Sequence, residues 1–469
     1  MNEDNSHGQS LSQSSAGRLI IALRVYVYVL ASALVFSWIS YSLYPSFDRR
    51  PFFAKNDEFM DLLNYIGKTA HLRHSSAALG QGFPTFAYSP PSAFLWHALF
   101  LVHAHPLWPY IILVVLAAFI LATVGIRACS AVAPSGDTAS GVVRLLAMEA
   151  IALTALMGWP LWYAADRGNL EGLTWALSGG ALCFFLGRRY RAAAVCIGLA
   201  ACIKPFPLAF CALLLLRRRY WETALAAGIT VALILAACIG IEPNPWKAYQ
   251  DLKPGFGFYS KVYVQSIRPP DEVRFSHSIL DGLKLGAVIL EARKFNPTAL
   301  NKAIQRTSGE DLASRNANPA EFKSWPTGRA LAKIYPFVAF AVFAALVFCA
   351  RGKPALNQIT ILGIAAAVLP PNAFEYTLLN LYVPFGALAI FLTAEFTRGR
   401  AALTRITLFA ILSVYALLFA PLTFLRTYAG VTKLLLILLL LAFFIRTAMP
   451  TAYFGDKLQP VSPEEPSTV

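Results

Sequence analysis

Charge is scarce in this chain, and acid is scarcer than base. Only 14% of its 469 residues are Asp, Glu, Lys or Arg, with 25 acids against 40 bases, while 57% are hydrophobic. The mean hydropathy is +0.55. A soluble domain of this length cannot hide so much apolar surface, so the composition excludes an ordinary globular enzyme and points to a polytopic membrane protein. Cysteine offers no framework either. All seven (Cys129, Cys183, Cys196, Cys202, Cys211, Cys238 and Cys349) lie in or beside apolar segments and none is in a large loop, which argues against disulfides and zinc. No metal-ligand spacing occurs, so neither a metal nor any other cofactor is expected. No internal repeat is visible, which disfavours the inverted-repeat carriers. The formal charge of +15 is not read as a nucleic-acid footprint, because the basic residues sit at the ends of apolar runs.

What is present is a series of apolar runs near 19–44, 107–128, 143–163, 170–187, 220–241, 330–350, 355–370, 376–395, 402–422 and 431–448. Most are long enough to span a bilayer, though 355–370 is short. The first is too long for a signal-peptide core and reads as a retained helix. Residues 91–104 are apolar but short, and 191–216 is interrupted by Lys204-Pro205-Phe206-Pro207. Each reads as a half-helix or a re-entrant pair, since broken backbone at membrane depth must be buried in protein. The fold expected is an all-α polytopic membrane protein of about 10–12 helices with two large extracytoplasmic loops. Its divisions are a disordered cytoplasmic tail (1–18), an N-terminal transmembrane module (19–241) with an outer loop at 45–90, a large outer loop (242–329), a C-terminal transmembrane module (330–448) and a cytoplasmic tail (449–469).

Arginine sets the orientation. Arg127 and Arg144, then Arg188, Arg189 and Arg191, then Arg217, Arg218 and Arg219, then Arg351 and Lys353, and finally Arg398, Arg400 and Arg405 fall in alternate, inner turns. The short outer turns hold only Arg167, Arg426 and Lys433. On this threading every segment able to do chemistry lies at the outer face, which suggests an enzyme working there rather than a pore polar from side to side.

The first outer loop contains Asn56-Asp57-Glu58-Phe59-Met60-Asp61-Leu62-Leu63-Asn64-Tyr65. Read as a helix, Phe59, Leu62, Leu63, Ile66 and Ala70 make one apolar stripe, with Asp57, Asp61, Asn64 and Lys68 on the other side. Two acids one turn apart suit a general base, against the plainer reading of a solvated helix face. Tyr88-Ser89-Pro90-Pro91 breaks the chain before the 91–104 segment, with Tyr88 placed for the membrane interface. The second outer turn, Asp166-Arg167-Gly168-Asn169-Leu170-Glu171, crowds polar residues at the boundary. Glu171 falls inside the start of a span, where a charge usually faces a cavity or a partner; Asp166–Arg167 pairing and capping by Asn169 are the structural alternatives. Lys204 is the most conspicuous intramembrane charge. Such a cation needs a partner, and the phosphate of a lipid-linked substrate is one; snorkelling is the competing account. The lone histidine of the large loop sits in His277-Ser278-Ile279-Leu280, and the last outer turn, Pro370-Pro371-Asn372-Ala373-Phe374-Glu375-Tyr376, brings one more carboxylate.

In this order the segments resemble glycosyltransferase family 87, over roughly residues 50–380. The clearest part is Arg167-Gly168-Asn169-Leu170-Glu171-Gly172 followed by the arginine turn at 188–191, Lys204-Pro205-Phe206-Pro207 and Arg217–Arg219. The family's early aspartate, with an aromatic four residues on, resembles Asp61 and Tyr65. Its tyrosine-proline-proline step resembles Tyr88-Ser89-Pro90-Pro91, with an extra residue between, and its serine-leucine stretch resembles His277-Ser278-Ile279-Leu280. One departure is that Tyr376 stands where the family commonly has histidine.

The resemblance implies a plasma-membrane hexosyltransferase, mannose being the sugar most expected, that takes its donor from a polyprenyl phosphate and passes the sugar to an envelope glycan or glycolipid at the extracytoplasmic face. Lys204 and Arg167 are then expected at the donor phosphate. Asp61 is expected as the base, with Asp57 as its alternative. Tyr65, Tyr88, Asp166, Asn169, Glu171, His277, Ser278, Glu375 and Tyr376 line the substrate sites. The partners are donor, acceptor and bilayer, with no nucleic acid. The rival from another class is a carrier or flippase that uses Lys204, Glu171 and the broken helix as a midplane site; a third is an acyl- or phospho-transferase working with the same outer carboxylates.

Overall fold

Prolines, left-handed turns and borrowed hydrogen bonds decide where the apolar runs break. A computed structural model describes residues 4–43, 69, 88–101, 138–265, 276–292, 326–397, 403–422, 425 and 428–449. Among these the protein is helical throughout, with a single isolated bridge between Ser276 and Phe374 in place of any sheet. In chain order the helices are α1 (Asp4–Leu43), α2 (Pro90–Leu101), α3 (Thr138–Met157), α4 (Trp159–Asp166), α5 (Glu171–Leu186), α6 (Tyr190–Ile203), α7 (Cys211–Leu216), α8 (Tyr220–Ile241), α9 (Pro245–Tyr259), α10 (Ile279–Ala292), α11 (Pro326–Ala350), α12 (Ala355–Val368), α13 (Tyr382–Thr397), α14 (Arg405–Phe419) and α15 (Ala429–Arg446). Six stretches are long and apolar enough to cross a membrane, and five shorter apolar helices accompany them. The protein is an all-α polytopic membrane protein.

Three of the turns share one hydrogen-bond pattern. After α4, Gly168 N donates to Ala165 O and Asn169 N to Ala164 O, both at 2.9 Å. After α5, Arg188 N donates to Phe185 O (3.0 Å) and Arg189 N to Phe184 O (2.8 Å). After α7, Arg218 N donates to Leu215 O and Arg219 N to Leu214 O, both at 2.9 Å. This is the Schellman ending, in which the residue two past the last helical one turns left-handed. Gly168 does so without strain at φ 62°, whereas Arg188 (φ 59°) and Arg218 (φ 56°) carry a Cβ into that region at a cost of about 1 kcal/mol each.

The broken run at 191–216 has a chemical cause. Lys204, held by Pro205 out of the helical region, is extended at φ −138° and ψ 135° and ends α6. A short 3-10 turn, Phe206–Phe210, then leads back into α7. The carbonyls freed at the end of α6 find hydroxyls from the start of α2: Ser89 Oγ donates to Ile203 O at 2.8 Å and also contacts Cys202 O, and Ser92 Oγ donates to Ile203 O at 3.1 Å.

These turns orient the bundle. α5 runs from Glu171 to the first arginine turn, α6 returns to Lys204, α7 leads back to the second arginine turn, and α8 crosses again to Glu242. With 22 residues α8 is about 33 Å long, enough for the hydrocarbon core. Exposed aromatics sit at both of its ends, Tyr220 and Trp221 at the start and Trp246 of α9 just past the finish, as expected of side chains at the two membrane interfaces. α9 is started by Asn244, whose side chain accepts from Trp246 N (3.0 Å) and Lys247 N (3.3 Å).

α12 is the centre of the core, with all of its residues buried. A helix apolar on every side belongs inside a bundle. The amide of Asn357 is satisfied completely: Asn357 Nδ2 donates to Phe444 O and Thr447 O at 2.8 Å each, and Asn357 Oδ1 accepts from Met449 N at 2.9 Å, closing the end of α15.

The structure differs from the sequence reading at several places. The first helix begins at Asp4, so residues 4–18 continue its backbone instead of forming a loose tail; no proline interrupts that stretch. The run at 376–395 opens with a 3-10 turn, Glu375–Leu381, before α13. Lys433 is not in an outer turn but inside α15, fully buried. The expected span at 107–128, most of the 45–90 loop, residues 1–3 and 450–469 of the two tails, and residues 266–275 and 293–325 of the large loop lie outside the described residues.

Candidate active site

The Gly168 turn and the Lys204 break bring three segments to one point. Asn169 follows the left-handed glycine and Glu171 opens α5. Lys204 ends α6, and Tyr88 stands just before α2. Asn169 Oδ1 accepts from Glu171 N (3.0 Å) and from Lys204 Nζ (2.9 Å), while Asn169 Nδ2 donates to Tyr88 OH (3.0 Å). Those bonds fix which way the amide points. Lys204 Nζ also donates to Glu171 Oε2 at 2.6 Å. Two aromatic faces flank the ammonium, Tyr88 with its centroid at 5.4 Å and Tyr376 at 4.7 Å. Tyr376 is itself stacked on Tyr163 at 5.9 Å.

Within this group Glu171 is fully buried, but the Lys204 side chain keeps 12% of its surface. Two of the three ammonium protons have oxygen acceptors, and among the described residues no third acceptor is present. Glu171 Oε1 also lacks a hydrogen-bond partner, as do Trp175 Nε1 and Ser178 Oγ. These three residues lie at i, i+4 and i+7, one face of α5 running into the bundle from Lys204. A partly reachable cation beside buried donors and acceptors suits an anionic ligand that also carries hydroxyl groups.

A second knot lies directly behind Tyr376. Glu375 pairs with Lys433 of α15, and both are buried. His277 N donates to Ala373 O at 2.9 Å, and His277 Nε2 lies 2.9 Å from Thr377 Oγ1. The threonine hydroxyl gives its own proton to a main-chain carbonyl, Ala367 O at 3.1 Å or Phe374 O at 2.9 Å, so Nε2 carries the imidazole proton. Burial, and secondarily the Lys433 charge, push the His277 pKa down to about 3, so the ring is neutral at ordinary pH. Ser278 Oγ accepts from Asp281 N (2.9 Å) and bonds the Asp281 carboxylate (2.9 Å), capping α10.

The sequence-stated candidates thus fall into two groups. Tyr88, Asn169, Glu171, Lys204 and Tyr376 converge. His277, Ser278 and Glu375 form the knot behind them. Arg167 follows the end of α4 in the same turn as Asn169, and Asp166 is the last residue of α4. Asp57, Asp61 and Tyr65 lie outside the described residues. Sequence reasoning did not single out Lys433, Tyr163, Trp175 or Ser178. The spacing of Glu171, Trp175 and Ser178 was a usable signal, since it repeats at helical period. Nothing in the sequence marked Lys433 as the partner of Glu375, 58 positions away. Among the described residues no group of three or more His, Cys, Asp or Glu is placed to hold a metal ion.

Residues 86–269 match the sequence model of glycosyltransferase family 87. That stretch is 184 of the 469 residues, and over it the chain is similar to the family. The protein is a multi-pass membrane protein, and the similarity supports a glycosyltransferase, which would have a sugar donor and an acceptor as its substrates. No curated protein matches the chain. The family stretch is shorter than the resemblance over 50–380. It contains Tyr88, Asn169, Glu171, Lys204 and both arginine turns, and it leaves Asp57, Asp61, His277, Glu375 and Tyr376 outside.

Proposed function

We propose that this protein is a glycosyltransferase that moves a hexose, mannose first among the candidates, from a polyprenyl-phosphate donor to an envelope glycan or glycolipid at the extracytoplasmic face of the plasma membrane. The observation that carries this reading is Lys204: a partly reachable ammonium at a helix break, aimed by Asn169 and Glu171 and framed by two tyrosines. The donor's phosphate takes the remaining ammonium proton, with Arg167 adding charge from the neighbouring turn. Sugar hydroxyls meet Glu171 Oε1 and the polar face of α5, and a tyrosine ring packs on the sugar's apolar side.

In the chemical step an acceptor hydroxyl oxygen attacks the anomeric carbon. The bond from that carbon to the phosphate oxygen breaks, and polyprenyl phosphate leaves with the electron pair. The hydroxyl proton passes to a carboxylate, Asp61 or else Asp57. A single displacement of this kind inverts the anomeric centre and needs one base, because the leaving phosphate is already stabilised by cations. His277, Ser278 and Glu375 support the acceptor side through the turn that holds Tyr376.

The test is transfer of label from radiolabelled polyprenyl-phosphate mannose in liposomes, with a lipid and glycan acceptor pool. Wild type, Asp61→Asn, Asp57→Asn and Lys204→Met are run in parallel. Transfer with release of free polyprenyl phosphate is expected from wild type, a loss of at least 100-fold in Lys204→Met, and a comparable loss in one aspartate variant only. No transfer from this donor or from its glucose and arabinose counterparts would sink the polyprenyl-phosphate reading, and movement of intact donor across the bilayer would replace it with a flippase.

A further inference from the structure

α9 stands on the membrane face that carries Lys204, and its residues sort into three stripes. Ala248, Leu252 and Gly255, at i, i+4 and i+7, are buried. Leu252 packs in a small cluster with Trp96, Leu170, Ile203 and Ile241, so α9 leans on the residues next in sequence to Asn169 and to Lys204. Trp246, Tyr249, Lys253 and Phe256, at i, i+3, i+7 and i+10, are exposed on a second side, with Trp246 stacked on Tyr249 at 5.4 Å. The third stripe is polar. Lys247, Gln250 and Asp251 follow at i, i+3 and i+4, and Lys247 pairs with Glu242 at 2.9 Å.

The direction of the aromatic stripe decides what covers it. At about 100° per residue, the polar stripe lies on the far side of the helix from the aromatic one. An aromatic platform for a soluble sugar shares its side with groups that bond hydroxyls, and here those groups face away. A lipid surface fits the arrangement, because it takes the aromatics on one side and leaves the polar groups in water on the other. The aromatic side also continues a lipid-facing one. Val231, Leu235 and Ile239 are exposed at i, i+4 and i+8 along the spanning helix α8, which leads through the Asn244 cap to Trp246. Lys253, within the aromatic stripe, has a long apolar stem that can lie along lipid while its ammonium meets the headgroups.

We infer that α9 is an interfacial helix lying flat in the membrane–water boundary, with Trp246, Tyr249 and Phe256 inserted among the lipids of the leaflet on the Lys204 side. Because Leu252 ties it to Leu170 and Ile203, its seat fixes the Asn169–Lys204 group at the depth of the lipid headgroups. The inference concerns where α9 lies, and it holds whichever donor the protein uses.

Full-length protein in liposomes of phosphatidylcholine and phosphatidylglycerol carries the photoreactive p-benzoylphenylalanine in place of Tyr249, of Phe256 or, on the polar stripe, of Gln250. After illumination, covalent lipid adducts are counted by mass spectrometry, and the melting temperature of each variant checks its fold. Lipid adducts are expected at Tyr249 and Phe256, with none above background at Gln250. A second measurement introduces no bulky group: the tryptophan fluorescence of wild type minus that of Trp246→Phe, in liposomes of lipid brominated high or low on the acyl chain. Stronger quenching of the Trp246 share is expected from the high position, as for an interfacial ring. Equal lipid adduct at Gln250 and Tyr249 overturns the inference, and so does a Trp246 signal that neither brominated lipid quenches. Adducts at Tyr249 to an added acceptor glycan, in place of lipid, overturn it in favour of a sugar platform.

Discussion

Two lysine–glutamate pairs stand on either side of Tyr376, and they share their chemistry but not their surroundings. Lys433 and Glu375 are buried together, and each is the other's charged partner. Lys204 and Glu171 are also paired, yet the ammonium is partly exposed, shares its protons with Asn169 and is framed by two rings, while Glu171 has an oxygen left over. An intramembrane charge is therefore not by itself a sign of function. A closed pair joins helices, here α15 to the turn before α13. An open pair has bonding capacity to offer, and only the open pair lies within the stretch that matches the family.

The contrast is broken most severely at the closed pair. Lys433→Met or Glu375→Gln alone leaves one buried charge without its counterpart, and a stability loss of about 3–5 kcal/mol is expected. Thermal unfolding in detergent measures it. The combined change Glu375→Leu with Lys433→Met recovers most of that loss, because two apolar side chains of similar volume carry no desolvation cost. If the double variant is as unstable as the singles, the pair does more than hold helices together.

At the open pair the balance reverses. Lys204→Met combined with Glu171→Gln lowers transfer at least 100-fold yet destabilises by about 2 kcal/mol or less, since no buried charge is left unpaired and the lost ammonium was already partly solvated. Asn169→Ala releases the ammonium and the Tyr88 hydroxyl, and is expected to cost roughly tenfold in turnover with about 1 kcal/mol of stability. Parallel melting and transfer assays on both variants decide whether the two pairs differ as stated. Equal losses of stability at Lys204 and Lys433 erase the distinction.

The smallest effect concerns His277. Its folded pKa, held near 3 by burial and Lys433, lies below the ordinary 6.5, so the unfolded chain binds more protons as pH falls. Stability from this group is fully present above pH 6.5 and is lost toward pH 3. Between pH 6.5 and 5.5 the loss is about 1 kcal/mol. His277→Gln flattens that part of the profile, and a chemical-denaturation series against pH reads the slope.

Much of the helical order was legible in the residues. Apolar runs such as 170–187, 220–241 and 355–370 became α5, α8 and α12 nearly as read, because a bilayer demands backbone bonds satisfied within each segment. The break at Lys204-Pro205 was legible too, since proline dictates the conformation of the residue before it. Less visible was what stabilises the break. The hydroxyls of Ser89 and Ser92 reach Ile203 from more than a hundred positions away, and sequence spacing carries no record of such a distance. Lys433 was misplaced for a related reason: a charge near the end of an apolar run resembles a turn residue until its partner is known.

By itself the sequence determined that this is a membrane protein and that its chain breaks at Lys204. Composition, proline geometry and the cost of charge in hydrocarbon act locally, and so can be read locally. Only the tertiary structure decided that Lys204 stays open and Lys433 is closed, and that Tyr376 stands between them. Those outcomes depend on which helices pack together, and side chains distant in sequence acquire their partners only through that packing.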